Sequence, residues 1–163
     1  TDSLVGSEMC IRDRSYYLIK ASADLAVEQG YCPGTEETKY SQGITPNMTY
    51  KQDVDELVAH KERMPWKSLR KQLQKTGIRN STLMALMPAE TSAQISNSTN
   101  GIEPPRAYVS VKQSKDGVLK QVVPEFRKLK NKYQMLWTQE SPEGYLKIMA
   151  VLQKYIDLSL IHI

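Results

Sequence analysis

The chain has 163 residues, of which 40% are hydrophobic and 25% are charged, and its formal net charge is +4. It contains no run of about 18 apolar residues and no basic-then-apolar leader, so we expect a cytoplasmic domain without a membrane-spanning helix. The chain has two cysteines, which are too few for a disulfide scaffold. Together with two histidines they also argue against a zinc site and against a Cys–His nucleophile pair.

Both ends of the chain look foreign to the rest. The first 14 residues read TDSLVGSEMCIRDR and the last six read LSLIHI, and both stretches resemble translated sequencing-adapter sequence. We therefore predict that residues 1–14 and 158–163 are artefacts and that residues 15–157 form the domain. The alternative is a natural N-terminal tail and an apolar helix end. Without these ends one cysteine, Cys32, remains, so the chain cannot complete a dithiol redox reaction by itself.

The first predicted element is an amphipathic helix that ends at Gly30, a residue suited to a helix C-terminus. Its apolar positions recur at helical spacing: Tyr16, Tyr17, Leu18, Ala21, Leu25 and Ala26. The stretch Cys32–Gly34 contains Pro and Gly and predicts a turn.

Two further helices are predicted in the next part of the chain. Residues 40–49 favour a loop, and Thr49 is a candidate cap for a short helix over residues 50–59. Pro65 suits the first turn of the following helix. That helix should bury Trp66, Leu69 and Leu73 and stop at Gly77.

Residues 78–87 carry an apolar run between Gly77 and Pro88. Their length and flanking residues are compatible with a strand buried on both faces, and a short helix is the competing interpretation. Helix, loop, buried strand and helix in series favour an α/β layered or barrel architecture.

Residues 108–123 predict a β-hairpin. Tyr108–Lys112 alternates as a strand, Ser114–Gly117 contains the turn dipeptide Asp-Gly, and Val118–Val123 forms the return strand before Pro124. Two closing helices are predicted over residues 125–137 and 143–156, and Ser141–Pro142 separates them.

The join between the apolar run and Glu90–Ser92 carries the clearest chemical signal. Where a buried strand ends and a helix begins, the first N–H groups lack intrahelical partners and face outward at the positive end of the dipole. Such an end binds phosphate without a lysine, and Thr91 and Ser92 add hydroxyl donors. The same residue types also cap helices for structural reasons alone, so these residues by themselves leave both interpretations open.

Two motifs in this part of the chain resemble the large subunits of ribonucleotide reductases. The first combines WKSL at Trp66–Leu69 with GIRN at Gly77–Asn80, followed by Pro88 at the family's spacing. The second is PAETSAQISN, which begins at Pro88 and continues to NGIEPPR at Asn100–Arg106; it is similar to the bacterial class Ia subunit. A weaker similarity extends over residues 16–157.

The resemblance implies a fold and a site. The fold would be the late part of a ten-stranded α/β barrel. The loop that wraps the diphosphate of a ribonucleoside diphosphate would comprise Pro88, Ala89, Glu90, Thr91 and Ser92. Close family members usually have serine at the position of Ala89, so one hydroxyl is missing here while the backbone N–H groups remain. The implied reaction replaces the ribose 2′-hydroxyl with hydrogen by thiyl-radical chemistry.

The resemblance also implies that the reacting groups lie outside this chain. We therefore expect no catalytic residue, metal or cofactor in it, and no activity of the isolated polypeptide. Cys32 has no catalytic counterpart in the family. The implied partners of the whole enzyme are a second large subunit, a radical-generating small subunit with a metal, thioredoxin or glutaredoxin as reductant, and the effectors ATP and dATP. Neither nucleic acid nor a membrane is an implied partner.

Two other functions compete with this interpretation. A basic helical module binding nucleic acid would use the densest cluster of positive charge, which is Arg127, Lys128, Lys130 and Lys132. Such a module leaves the Glu90–Ser92 segment unexplained, and a solvated helix face accounts equally for these charges. A structural adaptor domain would use the segment only as a helix cap.

Overall fold

The structure is a computed structural model that describes residues 2–49, 52–56, 58, 62–86, 90–98, 103–115 and 117–157. The chain divides into two compact units. The first unit comprises Thr1–Leu86 and Lys147–Ile163, and the second comprises Met87–Leu146. Among the described residues, every helix is too short or too polar to cross a bilayer.

The first unit begins with a long helix, α1 (Asp2–Gln29). Gly30 follows it with a φ of +81°, which confirms the predicted helix end. The predicted buried face was partly wrong, because Tyr17, Leu18 and Leu25 are exposed. From Tyr16 onward, the apolar side chains that α1 buries follow one another at intervals of three or four residues: Tyr16, Ile19, Ala23 and Ala26. That spacing is the true helical stripe, and the exposed residues lie outside its phase.

Residues 35–49 and 52–56 contain short helical turns. The structure has 3-10 turns at Thr35–Glu37, Lys39–Gln42 and Gln52–Glu56, and a single α-helical turn, α2 (Pro46–Thr49). The loop predicted over residues 40–49 was therefore wrong in part. Of the helix predicted over residues 50–59, the structure describes residues 52–56 as a 3-10 helix and residue 58 as a bend, and the rest lies outside the described residues.

The next helix, α3 (Trp66–Thr76), matches its prediction at both ends. Pro65 precedes its first turn, and Gly77 ends it with a φ of +67° and a ψ of −160°. Trp66, Leu69 and Leu73 are buried along one stripe, as predicted.

The core of the first unit forms where α1 and α3 pack together. The ring of Trp66 lies edge-on against Tyr16, with centroids 5.2 Å apart, and is stacked with Tyr155 at 6.4 Å. Leu69, Leu73 and Ile78 complete this core at 2% exposure or less. Each such aliphatic side chain stabilises the fold by about 1.5–3 kcal/mol when fully buried.

An ion pair between a buried lysine and an exposed aspartate lies near the C-terminal end of the same unit. The ammonium of Lys154 bonds to the carboxylate of Asp55 and donates to the carbonyl of Val58 at 3.0 Å. The lysine side chain is only 3% exposed, so its charge needs this partner. The Asp55 side chain is 37% exposed, so solvent weakens this pair, and its loss should destabilise the unit less than the loss of a fully buried pair would.

The segment that follows α3 forms neither the strand nor the helix that was predicted. Residues 78–86 are irregular, and the part of the chain that the structure describes contains one sheet of two strands, formed elsewhere. Ile78 accepts a bond from the Cys32 N–H at 2.9 Å, and the Arg79 N–H donates to the Ser22 carbonyl at 3.1 Å. Ile78 is buried, but the apolar run in the second half of the segment is not: Leu83, Met84 and Leu86 are half-buried and Ala85 is exposed. No adjacent strand among the described residues supplies a ladder of hydrogen bonds.

The second unit contains a short helix, α4 (Glu90–Ile95), and a β-hairpin. The strands β1 (Val109–Ser114) and β2 (Gly117–Val122) pair antiparallel, with Val109 opposite Val122 and Ser114 opposite Gly117. This register confirms the predicted hairpin.

The helix predicted over residues 125–137 was wrong, because the chain there breaks into three short pieces. They are α5 (Phe126–Leu129) and the 3-10 turns Lys130–Lys132 and Leu136–Thr138. Glu125 has a φ of +51°, and Tyr133 and Met135 are extended, so the helical hydrogen bonds cannot continue through these positions.

The closing helix, α6 (Glu143–Gln153), begins where it was predicted and ends three residues before the predicted end at residue 156. The Glu143 N–H donates to the Ser141 hydroxyl at 3.2 Å, so the Ser–Pro pair begins this helix as expected.

We predict that Gly77→Ala destabilises this chain by about 1–3 kcal/mol, because its backbone conformation is almost restricted to glycine. A Cβ there would lie 3.1 Å from the Tyr31 Cβ and 3.2 Å from the Thr35 Cγ2. Urea unfolding followed by circular dichroism measures the change.

The matched control for this substitution is Gly144→Ala within α6, where a Cβ would meet nothing within 4 Å. The control should gain about 0.5–1 kcal/mol from helix propensity. Equal effects of the two substitutions would contradict the structural role of Gly77.

Candidate functional site

Only part of the predicted diphosphate-binding segment is described by the structure. Pro88 and Ala89 lie outside the described residues, and Glu90 begins α4. Thr91 and Ser92 are exposed in the first turn, whereas Ala93 is buried at 2% exposure. The buried alanine anchors the helix in its unit, and the two hydroxyl-bearing residues face away from that anchor.

The donors available at this turn are backbone N–H groups and two hydroxyls. The first N–H groups of any α-helix lack intrahelical acceptors, and they are free to bind an anion. Because α4 has six residues, its dipole is small. Direct hydrogen bonds from the N–H groups and from Thr91 and Ser92 are therefore the main attraction that this turn can offer to an anion.

The opposite end of α4 is closed by a two-bond C-cap. The Ser98 N–H donates to the Ala93 carbonyl at 2.9 Å, and the Asn97 N–H donates to the Gln94 carbonyl at 3.4 Å. Asn97 has a φ of +51°, a left-handed conformation that asparagine tolerates better than most residues. Asn97 in the PAETSAQISN motif thus has a structural role, since it ends the helix.

Further polar contacts hold the C-terminal end of α4 in place. The Ser96 hydroxyl donates to the Ser92 carbonyl at 2.8 Å, and the Gln121 side chain donates to the Ser98 carbonyl at 3.1 Å. The second bond connects the end of α4 to strand β2. The short helix is therefore tied to the hairpin of its own unit.

A cleft of about 650 Å³ lies in the second unit. It is lined by Gln94, Ser98 and residues 103–107, 109–112 and 121–124. Its volume is in the range of small-molecule sites, but its lining does not include Thr91 or Ser92. Arg106 and Glu103 form a 3.4 Å ion pair at its rim. Both side chains are largely exposed, so the pair contributes little stability.

A carboxylate in the first unit was missed by the sequence reasoning. One oxygen of Asp157 accepts hydrogen bonds from the Leu83 N–H at 2.7 Å and the Met84 N–H at 3.1 Å. The other oxygen accepts a bond from the hydroxyl of Tyr40. Burial, together with the adjacent Asp157 carboxylate, raises the pKa of Tyr40, so this phenol stays a donor. No single-sequence pattern connects residues so far apart in the chain.

Ser22 on α1 forms two hydrogen bonds with Asn80 of the GIRN motif. Its hydroxyl accepts a bond from the Asn80 N–H at 2.9 Å and donates to the Asn80 side-chain oxygen at 3.1 Å. Asn80 is thus held at its backbone and at its side chain by one serine. These bonds give Asn80 a structural role within the first unit.

The charged and sulfur-bearing side chains suggest no further site. Within the described ranges, no three His, Cys, Asp or Glu side chains come together as metal ligands. Cys32 is partly buried against the core. The four basic residues of the cluster at 127–132 are all exposed; Lys128 pairs with Glu125 at 2.9 Å, and Lys130 lies 5.7 Å from the Phe126 ring centroid.

A comparison with known families decides the affiliation of the chain. A family model described as "Ribonucleotide reductase, barrel domain" matches residues 7–141. The chain belongs to the ribonucleotide reductase family. The predicted fold class, a partial ribonucleotide reductase barrel domain, is thereby confirmed, and this part contains mixed helices and short strands.

Individual relatives agree with this affiliation. Over 145 residues the chain is 54% identical to the ribonucleoside-diphosphate reductase 1 subunit alpha of Salmonella typhimurium. The aligned residues make up 89% of this chain. Identity to the subunit alpha of Haemophilus influenzae is 56% over 142 residues, or 87% of the chain. For the subunit alpha of Enterobacteria phage T4 it is 44% over 143 residues, or 86%.

In each of these relatives the matched part is 19% of the full length, so the chain spans a small share of the proteins it resembles. The family match begins at residue 7, inside the adapter-like first 14 residues. The foreign origin of residues 1–14 and 158–163 stays a prediction.

Proposed function

We propose that this chain is part of the large subunit of a ribonucleoside-diphosphate reductase, and that Pro88, Ala89, Glu90, Thr91 and Ser92 bind the substrate's diphosphate. The complete enzyme would convert ribonucleoside diphosphates to 2′-deoxyribonucleoside diphosphates by thiyl-radical chemistry. The matched family region, residues 7–141, includes the segment. The observation that carries the assignment is that Thr91 and Ser92 are exposed together on the first turn of α4.

The chemistry of this turn suits a diphosphate. The ligand carries several anionic oxygens, and each can accept hydrogen bonds from backbone N–H groups and from hydroxyls. Pro88 has no N–H and restricts the backbone where the segment begins. The negatively charged side chain of Glu90 would repel the diphosphate. We therefore assign the contact between Glu90 and the diphosphate to the backbone N–H of this residue.

The remaining parts of the enzyme belong to this proposal as well. A cytoplasmic homodimer of large subunits would bind a radical-generating small subunit that contains a metal. Thioredoxin or glutaredoxin would supply the reducing electrons, and ATP and dATP would act as effectors. The present chain would contribute to substrate binding and no group to the radical step, so we propose that it is inactive in isolation.

We predict that replacing Thr91 and Ser92 together by alanine in the intact subunit raises KM for ribonucleoside diphosphates by about a hundredfold or more. Hydrogen bonds to charged groups are each worth about 1.5–3 kcal/mol, and about 1.4 kcal/mol corresponds to a tenfold change. Steady-state kinetics with each substrate measures the effect, and circular dichroism checks that the fold is retained.

Thr138→Ala serves as the control, because Thr138 is another exposed threonine of the same unit, and its hydroxyl contacts the Met135 carbonyl at 3.2 Å. This variant should leave KM unchanged. An unchanged KM in the Thr91/Ser92 double variant would mean that the turn is only a helix cap.

A second prediction concerns Ala89, where close family members usually have serine. Ala89→Ser should lower KM by about tenfold to a hundredfold, since a hydroxyl that donates to a charged phosphate contributes about 1.5–3 kcal/mol. The same kinetic assay measures the change, and Ala107→Ser, at an exposed position of the same unit, is the control. An unchanged KM in Ala89→Ser would place this residue outside the phosphate contact.

A further inference from the structure

The two faces of the hairpin in the second unit differ in polarity. Residues that lie opposite one another in an antiparallel pair share a face, and successive residues alternate between the two faces. The register therefore places four valines on one face, which we call the valine face: Val109, Val111, Val118 and Val122. The polar residues of this face are Gln113 and Lys120. The opposite face is mostly polar and includes Ser110, Lys112, Leu119 and Gln121.

The valine face has the composition of a buried face, but it is open to solvent in this chain. In antiparallel sheets an apolar face packs against a core, while the polar face meets water. The four valines are instead between 41% and 61% exposed, and three of them line the cleft of the second unit. A two-stranded sheet becomes stable in water only when its apolar face packs against another layer. The valine face therefore needs a covering layer.

The rest of the large subunit is the occupant that fits this face best. The matched part is 19% of each relative compared above, so under the proposed function most of the subunit lies outside this chain. Permanent contacts are the more hydrophobic ones, and a stripe of four valines has that character. A second copy of the chain fits less well, because a symmetric contact uses the same patch on both copies and would bring like charges at Lys120 together.

We propose that the valine face is the docking surface for a segment of the large subunit that lies outside this chain. That segment is apolar opposite the valines and supplies a carboxylate to Lys120, because a lysine is almost never fully buried without a partner. The inference rests on the proposed function, in that the chain is part of a large subunit. It does not depend on the assignment of the diphosphate to Pro88–Ser92.

Thiol labelling of the intact subunit tests whether the valine face is covered. Val111→Cys and Val118→Cys place a thiol on this face, and Leu119→Cys is the matched control on the opposite face of the same hairpin. Iodoacetamide labelling, followed by mass spectrometry of the hairpin peptide, should be at least about tenfold slower at both valine positions than at Leu119, because a covered thiol reacts only after local opening. In the present structure Leu119 is less exposed than either valine, so an uncovered hairpin would give equal rates or the opposite order. Either of those results overturns the inference.

Cross-linking of the intact subunit with a carbodiimide identifies the covering segment. This reagent joins an ammonium directly to an adjacent carboxylate, so Lys120 should be linked to an Asp or Glu of the same subunit outside the present 163 residues. Lys120→Gln should abolish that linked peptide. Mixing isotope-labelled and unlabelled subunits distinguishes links within one subunit from links between two copies. A Lys120 link to a residue of this chain or to a second copy overturns the inference, and so does the absence of any Lys120 link.

The outcomes also separate this inference from the proposed function. Reductase activity of the same wild-type preparation decides whether the chain belongs to a working large subunit. An active subunit with equal labelling at the three positions would contradict only the docking surface. The effect of the Thr91/Ser92 substitution on KM decides the diphosphate assignment in either case.

Discussion

The backbone of residues 78–86 is held by groups from distant parts of the chain, and the first unit depends on this constraint. Ser22 on α1 binds the stretch at Asn80, and Asp157 binds it at Leu83 and Met84. An apolar segment cannot be buried while its N–H groups lack acceptors, because each unsatisfied group costs about 1–3 kcal/mol. The polar contacts therefore have to form together with the packing of Ile78 against Trp66, Leu69 and Leu73 in the same core cluster.

The parts of the fold that the sequence could predict are those that depend on local signals. Helix α3 was predicted correctly because Pro65 and Gly77 mark both ends and the apolar stripe lies between them. The hairpin was predicted correctly because alternation and an Asp-Gly dipeptide are local signals. Residues 78–86 were misassigned because the apolar run in their second half does not reveal the backbone's partners, and this run is only partly buried.

Other errors have equally physical causes. The helix predicted over residues 125–137 contains good helix formers, but Glu125 adopts a left-handed conformation and Tyr133 is extended. The Tyr133 hydroxyl donates to the Pro124 carbonyl at 2.7 Å, a tertiary contact that propensity does not include. Asp157 and Tyr40 were not identified as a cluster because their partners are far away in the chain.

The candidate site combines a local signal with a family affiliation. Exposed hydroxyls at the first turn of α4 and the C-cap at Asn97 are what the residues Thr91 to Ser98 dictate by themselves. They fit a phosphate contact and a helix cap equally well. Membership of the ribonucleotide reductase family favours the phosphate contact.

The most direct measurement is a crystal structure of the intact subunit with a ribonucleoside diphosphate bound. The account predicts phosphate oxygens within about 3 Å of the Thr91 and Ser92 hydroxyls and of the backbone N–H groups of residues 89–92. A complex in which these groups are packed inside the protein, while other residues hold the diphosphate, would contradict it.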